Sequence, residues 1–290
     1  SPQTYSAKAI ELMGRSTVID MLSPLVISFT KMRAMMAKPE EFSAAELARF
    51  RSSGINVFHI AVGVGGPDAY NNVLRYIASY NGFIATNDDS FLRIDNVADI
   101  ARAKQSGKIG VLVGIQDASH FNRPDDVNFF HSIGQRVSQL TYNSRNLIGN
   151  GSTERRDDGL SDFGVSIVER MNQVGMAVDV SHCGDRTSLD ACEVSKKPVL
   201  ITHSNCRALV PHPRCKTDEA IRAMAKTGGV MGITGVRMFV RDREPTTIEH
   251  MIDHYDHVAR LVGPEHLRPQ DLLPGARTVA SSSCGSRPAA

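Results

Sequence analysis

The residues most suited to chemistry in this sequence are two histidines. His182 ends the segment DVSH at 179–182, and His203 lies in THS at 202–204. Each follows a short apolar run of strand type, so both are expected at the carboxyl ends of neighbouring parallel strands. Two neutral imidazoles placed there can bind one zinc ion, which would polarise a carbonyl group and activate water. The alternative is that each is a hydrogen-bonded polar residue at the rim of a sheet.

Other polar residues at predicted strand ends could complete a site around that pair. They are Asp20, Gln116, Tyr142 and Asn143. Tyr142 could act beside the histidines as an acid–base group, and Asn143, Gln116 and Tyr142 could contact a substrate. Arg214, in the segment HPRCKTDE, carries a guanidinium that suits a substrate carboxylate, although an arginine of a surface loop would give the same pattern.

The remaining histidines are expected to serve structure. His59 falls inside a strand, and His120, in DASH, follows a strand and could reach the rim of the site. His250, His254 and His257 share one face of a helix, but an outer helix of a barrel faces away from the site and the HExxH pattern is missing. The sequence also contains no GxSxG turn, no P-loop and no GxGxxG after a strand.

The elements that would position these residues alternate along the chain as short β-rich runs and longer helical patterns. Seven runs predict strands, at 17–20, 55–61, 109–115, 136–141, 176–181, 198–202 and 229–234. Most of them are almost continuously apolar, as strands buried on both faces are. Helices are predicted over 43–53, 162–174, 185–195, 217–227 and 246–262.

Local signals indicate where several of these helices begin and end. Ser43 followed by Glu46 predicts a capping box at the start of the first helix. Four glycines follow helical patterns, where left-handed caps belong: Gly54, Gly107, Gly175 and Gly228.

This alternation predicts an α/β protein, and seven strands favour a (β/α)8 TIM-type barrel over a doubly wound sheet. An eighth strand should begin near Leu267, where the chain carries a tail rich in Pro, Arg, Ser and Ala. The eighth strand is therefore expected to be missing or irregular. We divide the chain into a barrel over 1–266 and an atypical tail over 267–290, interpreted as a truncation or a shifted reading frame.

Composition excludes several classes of protein. The 290 residues carry 33 basic and 31 acidic side chains, so the net charge of +2 gives no reason to expect nucleic acid as a partner. No apolar run approaches the length of a transmembrane helix. The five cysteines match no CxxC pattern and are expected to be free thiols. We expect a soluble chain, cytoplasmic, or periplasmic or secreted if a signal was removed.

Six segments resemble the membrane (renal) dipeptidase family of zinc peptidases, in family order across about residues 9–266. They are QLTYNSRNLIGNG, DGLSDFG, RMNQVGMAVDVSHCG, KPVLITHSNCRAL, HPRCKTDE and LVGPEH. The resemblance implies a (β/α)8 barrel that binds two zinc ions and cleaves small peptides. It assigns metal binding to His182 and His203, and it assigns the binding of a substrate carboxylate to Arg214.

Other positions do not match the family pattern. In this respect the chain resembles a bacterial-type member of the family with a degenerate metal site. Leu22 and Pro24 occupy the positions of the family's first histidine and aspartate ligands, and Gln116 replaces its bridging glutamate. Tyr142 stands where the family has a substrate-side histidine. Asp271 could take the place of the family's last aspartate only if a gap is allowed in matching this sequence to the family pattern. Two imidazoles alone cannot hold two zinc ions, so at most one ion is expected.

Three hypotheses remain open from the sequence. The first is a dipeptidase-type metallohydrolase of dipeptides or related small amides, with one zinc ion or none. The second is a metal-free barrel that binds or transforms a peptide-like or secondary-metabolite ligand without hydrolysis. The third is an inactive scaffold or truncated product. A small peptide-like substrate is the expected partner, and a homodimer is an expectation from the resemblance alone.

Overall fold

The computed structural model describes residues 6–23, 25 and 29–267. The strands in this part of the chain are β1 (Ile19–Asp20), β2 (Val57–Val62), β3 (Phe91–Arg93), β4 (Ile109–Ile115), β5 (Gln135–Gln139), β6 (Ala177–Asp179), β7 (Val199–Ser204) and β8 (Met231–Ile233). The α-helices are α1 (Ala7–Arg15), α2 (Phe29–Ala37), α3 (Ala44–Ser52), α4 (Ala69–Thr86), α5 (Val97–Ser106), α6 (Pro124–Ser132), α7 (Asp162–Val174), α8 (Asp185–Val194), α9 (Asp218–Lys226), α10 (Arg237–Val240) and α11 (Ile248–Val262). Short 3-10 helices span Pro39–Glu41, Ala118–His120 and Pro264–Leu267. None of these helices is both long and apolar enough to cross a bilayer.

Seven strands form the wall of a parallel barrel in the order β1-β2-β4-β5-β6-β7-β8. All seven predicted strands are present, and the predicted TIM-type architecture is confirmed. The strand that was not predicted, β3, lies off this path. It pairs with the first half of β4, and β5 pairs with the second half. Three residues are too few to show a strand period, so β3 left no signal in the sequence.

The wall comes close to closing between its two edge strands. A Cβ built on Gly232, in β8, would lie 3.2 Å from the Cβ of Met21, the residue after β1. Within the described residues no backbone pairing joins β8 to β1. The expected eighth wall strand and the tail fall on residues 268–290, outside the described residues, so the domain boundary at 266 stays a prediction.

Helix ends follow the sequence signals closely. The Ser43 hydroxyl accepts a hydrogen bond from the Glu46 N–H at 3.2 Å, and the Glu46 carboxylate accepts one from the Ser43 N–H, which confirms the predicted capping box. All four predicted glycines have a positive φ of 67° to 82°. The helices therefore end where the chain can take a left-handed turn at low cost.

The inner face of the barrel is partly polar beneath the carboxyl ends of its strands. The imidazole of His59, in β2, is buried, and its Nδ1 donates to the Met21 carbonyl at 2.5 Å. The ring lies directly over Gly114 of β4, where an added Cβ would overlap His59 Nε2. Gly114 is therefore needed so that an imidazole can fill this part of the interior.

Gly114→Ala is expected to destabilise the protein by about 1–3 kcal/mol, because the new methyl group forces His59 out of its place in a packed interior. Chemical denaturation measures the free energy of unfolding. The matched control is Gly82→Ala in α4, where an added Cβ meets nothing within 4 Å and should stabilise the helix slightly. Equal stability of the two variants would contradict this account of Gly114.

Candidate functional site

The structure brings His182 and His203 together at the carboxyl ends of β6 and β7. Their Nε2 atoms are 2.8 Å apart, and their ring centroids are 4.9 Å apart. Parallel pairing of β6 with β7 sets this convergence, because it aligns the ends of the two strands. His182 follows β6 after a two-residue turn, whereas His203 belongs to β7 itself.

A buried carboxylate orients His203. Asp179 accepts hydrogen bonds from the Thr202 N–H at 3.1 Å and the Thr202 hydroxyl at 2.7 Å. It also accepts bonds from the Ser181 N–H at 3.0 Å and the Ser181 hydroxyl at 2.6 Å. Thr202 Oγ1 has given its one hydrogen to Asp179, so it accepts the hydrogen of His203 Nδ1 across 2.8 Å. His203 Nε2 is therefore a bare lone pair that faces His182.

Two residues of the loop after β5 hold His182. Its Nδ1 lies 2.7 Å from Asn143 Oδ1, and its ring stacks on Tyr142 with centroids 4.1 Å apart. Asn143 is itself fixed, because its carbonyl accepts bonds from the N–H and the hydroxyl of Thr153. Tyr142 is 38% exposed, so its phenol forms the solvent side of the site.

These hydrogen bonds suit a pair of metal ligands. With Asn143 Oδ1 as acceptor, His182 carries its hydrogen on Nδ1, so both Nε2 lone pairs face each other and require a proton or a cation between them. A tetrahedral zinc ion with bonds of about 2.0–2.1 Å separates two nitrogen ligands by about 3.3 Å, so the two rings would have to move apart from the observed 2.8 Å to share one ion. The pair can supply two ligands of a single ion, and the described residues contain no group of three or more His, Cys, Asp or Glu donors.

Both imidazoles are neutral near pH 7. Burial lowers the pKa of His203 to about 3, and the nearby Asp179 carboxylate offsets only part of that effect. Burial, followed by the charge of Arg214, holds the pKa of His182 well below its ordinary value. Neutral imidazole is the form that binds metal ions and that accepts a proton as a general base.

Arg214 lies beneath the two histidines rather than on a surface loop. Its Nη1 donates to the Ser181 carbonyl at 2.5 Å, and its Nη2 donates to the His203 carbonyl at 3.3 Å. Its guanidinium also lies 5.4 Å from the centre of the Phe239 ring. The side chain is 4% exposed, and both of these bonds go to backbone carbonyls of the segments that carry the two histidines, so its positive charge is buried next to the pair.

The residues that replace the expected zinc ligands add no metal donor. Gln116 turns its amide toward β2, where Nε2 donates to the Ala61 carbonyl at 3.2 Å. Leu22 contributes an N–H that donates to Asp20 Oδ1 at 3.0 Å. Pro24 and Asp271 lie outside the described residues. Among the described residues, no group of three or more His, Cys, Asp or Glu side chains could hold a metal ion.

The other histidines have separate structural partners. His120 is fully buried, with Nε2 at 3.0 Å from Gln135 Oε1, so it does not reach the rim. His254 Nδ1 accepts from the Cys206 N–H, and its Nε2 donates to the Val240 carbonyl. His257 lies 2.8 Å from Asp218, and His250 bonds to Thr247 at the start of α11. Each of the three histidines of α11 thus has its own hydrogen-bond partner.

Sequence reasoning missed Lys216, which is 1% exposed. Its ammonium donates to the Cys183 carbonyl at 2.7 Å and to the Ser188 hydroxyl at 2.9 Å. Burial lowers the pKa of Lys216 to about 8, which leaves it mostly charged at pH 7. A lysine in HPRCKTDE resembles any exposed lysine, so nothing local in the sequence signals this burial.

A parallel α/β barrel with a histidine pair at the carboxyl ends of adjacent strands defines the class of this protein. Within that class, the chain belongs to the membrane dipeptidase family (peptidase family M19), whose model matches residues 6–268.

Individual relatives agree with this placement. Dipeptidase verJ of Clonostachys rogersoniana is 35% identical over 180 residues, which are 61% of this chain and 46% of verJ. The chain thus spans about half the length of the curated relatives it matches. The structure of an amidohydrolase from Pseudomonas aeruginosa is 32% identical with a TM-score of 0.78, over 92% of this chain and 77% of that one.

A more distant structure shows the same fold. It is a metallopeptidase from Rhodobacter sphaeroides, liganded with a phosphinate mimic of the dipeptide L-Ala-D-Ala. It is 18% identical with a TM-score of 0.75, over 87% of this chain and 84% of that one.

Proposed function

We propose that this protein hydrolyses dipeptides or related small amides at the His182–His203 pair, with at most one bound zinc ion. The observation that carries the proposal is the approach of the two Nε2 lone pairs to 2.8 Å, with each Nδ1 committed to an oxygen acceptor. This arrangement presents both imidazoles in the form that binds a metal ion. Membership of a dipeptidase family supports the substrate class.

Each residue of the site has a defined part in this proposal. His182 and His203 would hold the ion, which when bound polarises the substrate carbonyl and lowers the pKa of water. Asn143 and Thr202 keep both rings in the required tautomer. Tyr142 stacks on His182 and is partly exposed, so it would contact a substrate that approaches the pair from solvent. Arg214 supplies the positive charge that attracts the carboxylate of a dipeptide.

The ligand named for the Rhodobacter sphaeroides structure gives this proposal a concrete substrate. A phosphinate mimic of L-Ala-D-Ala imitates a short peptide with a free carboxylate. For this chain we propose substrates of that size and charge. An amidated dipeptide, which lacks the carboxylate, should bind more weakly because it no longer matches Arg214.

The test is zinc content after native purification, together with dipeptide hydrolysis in the presence of added zinc. Hydrolysis is expected, and it should be lost when a chelator removes the ion. Less than about a tenth of an equivalent of zinc per chain, combined with no hydrolysis on added zinc, would rule out the proposal.

The second candidate is a metal-free barrel that binds or transforms a peptide-like or secondary-metabolite ligand without hydrolysing it. The observation that favours it is the replacement of ligands at two expected positions: the Leu22 side chain has no atom that binds a metal ion, and the Gln116 amide donates to the Ala61 carbonyl. Tyr142, His182 and His203 would then act as acid–base groups. Calorimetry with a chelator-treated protein distinguishes the two functions, because only this candidate retains full ligand binding and turnover without zinc.

A further inference from the structure

Helix α8 begins without a cap of its own. Asp185 is its first residue, and Gly184, in the N-cap position, has no side chain that could accept the free N–H groups of the first turn. The Asp157 carboxylate accepts them instead, from the Arg186 N–H at 2.7 Å and from the Thr187 N–H at 3.2 Å. These are the bonds that an N-cap side chain normally makes, so α8 is capped from outside the helix.

Gly184 leaves room for this carboxylate. Its φ of −63° and ψ of 173° are open to any residue, so the backbone conformation does not require glycine here. A Cβ built on Gly184, however, would lie 2.2 Å from Asp157 Oδ2. A side chain at position 184 and the Asp157 carboxylate therefore compete for one place. The helix gives up a cap of its own and receives one from the β5–α7 loop, which comprises residues 140–161 between β5 and α7.

The β5–α7 loop also carries the groups that hold His182. Tyr142 stacks on the imidazole with ring centroids 4.1 Å apart, and Asn143 Oδ1 lies 2.7 Å from His182 Nδ1. Asp157 lies toward the other end of the loop, where its carboxylate also accepts from the Gly159 N–H at 3.1 Å. One end of the loop thus contacts the histidine, and the other end contacts the helix that follows the histidine in the chain.

Between its two ends the loop runs along the segment that carries the histidine. The Ser152 N–H donates to the His182 carbonyl at 2.8 Å, and the Gly184 N–H donates to the Asn150 carbonyl at 2.9 Å. The bonds of Asp157 extend this contact into the first turn of α8. The loop and the histidine segment are therefore joined along their length, and the Asp157 carboxylate forms the last part of the joint.

We propose that Asp157 is a positioning residue of the candidate site: by capping α8 from the β5–α7 loop, it keeps Tyr142 and Asn143 in contact with His182. The inference rests on the proposed function only in taking the histidine pair as the place where a ligand reacts. It requires no metal ion, because every contact involved joins groups of the chain itself. The partial positive charge at the start of a helix also favours a carboxylate in this place.

Two variants separate the helix cap from the link to the loop. Asp157→Ala removes both, so Tm should fall by about 2–4 °C and the contact between the Tyr142 and His182 rings should be lost. In Asp157→Ala combined with Gly184→Ser, the new hydroxyl caps α8 locally. The Cβ at 157 lies 3.3 Å from the new Cβ, and a small shift of the freed loop relieves this crowding. Tm should recover in the double variant, whereas the ring contact should stay lost.

The ring contact is measured on the full chain by nuclear Overhauser effects between selectively labelled tyrosine and histidine rings, without substrate or added metal. In the assay of dipeptide hydrolysis, kcat/KM should fall by about 10–100-fold in both variants, because small displacements of reacting groups are costly. Asp99→Ala is the matched control for a lost helix cap, since the Asp99 carboxylate accepts from the Asn96 N–H at the start of α5. It should lower Tm and leave the ring contact intact.

The inference is overturned if the ring contact survives in Asp157→Ala. It is equally overturned if the double variant regains the ring contact together with Tm, because Asp157 would then be a helix cap and nothing more. Loss of the ring contact in Asp99→Ala would also overturn it, as an effect of general stability. If Asp157→Ala does not fold, Gly184→Ser alone decides, because it displaces the carboxylate and keeps a cap: a lost ring contact supports the inference, and a retained one overturns it.

The outcomes also separate this inference from the proposed function. Loss of the ring contact in the Asp157 variants of a protein that hydrolyses no dipeptide supports the inference and removes the proposed hydrolase function. Hydrolysis by the native protein, with an unchanged ring contact in the variants, supports the function and removes the role of Asp157.

Discussion

His203→Ala is expected to lower kcat/KM for a dipeptide by at least about a hundredfold and to bring zinc binding down to the level of adventitious sites. The reason is that the proposed ion is held by the two imidazoles, whose Nε2 atoms lie 2.8 Å apart. Removing one leaves His182 Nε2 without its partner. Both quantities are measured on the same preparation, by elemental analysis and by a hydrolysis assay.

The matched control for that variant is His250→Ala. His250 bonds to Thr247 at the start of α11, apart from the pair, so its loss should change neither zinc content nor turnover. Zinc binding in His203→Ala equal to that of the native protein would show that the pair is not the metal site. Unchanged hydrolysis in the same variant would show that the pair is not the catalytic site.

The barrel could be predicted because its strands are apolar and its helix ends carry local signals. Strands such as β4, with the sequence IGVLVGI, are almost continuously apolar and largely buried, and such runs are visible without any partner. Cap residues such as Ser43 and Gly175 act on their own helix, so their effect also shows in the sequence. β3 was missed because Phe91–Arg93 makes its pairing only through β4.

The site could be predicted only in part, because half of it depends on contacts between distant segments. His182 and His203 were found from their position at strand ends. The roles of Asp179 and Thr202 were not found, because a carboxylate and a hydroxyl 23 residues apart meet only when β6 pairs with β7. Lys216 was missed for the same reason, since its burial depends on Cys183 and Ser188.

Asp179→Asn should change the tautomer of the His203 ring while leaving the histidine itself in place. An asparagine amide in place of the carboxylate turns an N–H toward Thr202 Oγ1, which then accepts from the amide and donates its own hydrogen to His203 Nδ1. His203 must then carry its hydrogen on Nε2, where it blocks a metal ion. We expect zinc affinity and kcat/KM to fall by about 10–100-fold. Nitrogen NMR of the imidazole reports the change of tautomer directly.

Asp117→Asn provides a closely matched control for that variant. Asp117 Oδ1 accepts from the N–H and the hydroxyl of Ser119, which repeats the arrangement of Asp179 with Ser181. Its third hydrogen bond comes from the Asn146 amide. Among the described residues, Asn146 does not bond in turn to a histidine side chain, whereas Thr202 bonds to His203. Both variants should lose about 1–3 kcal/mol of unfolding free energy, because each leaves a buried polar group poorly matched. Only Asp179→Asn should alter the tautomer of His203 and the affinity for zinc. The same loss of zinc affinity in Asp117→Asn would show that Asp179 acts through general stability rather than through Thr202.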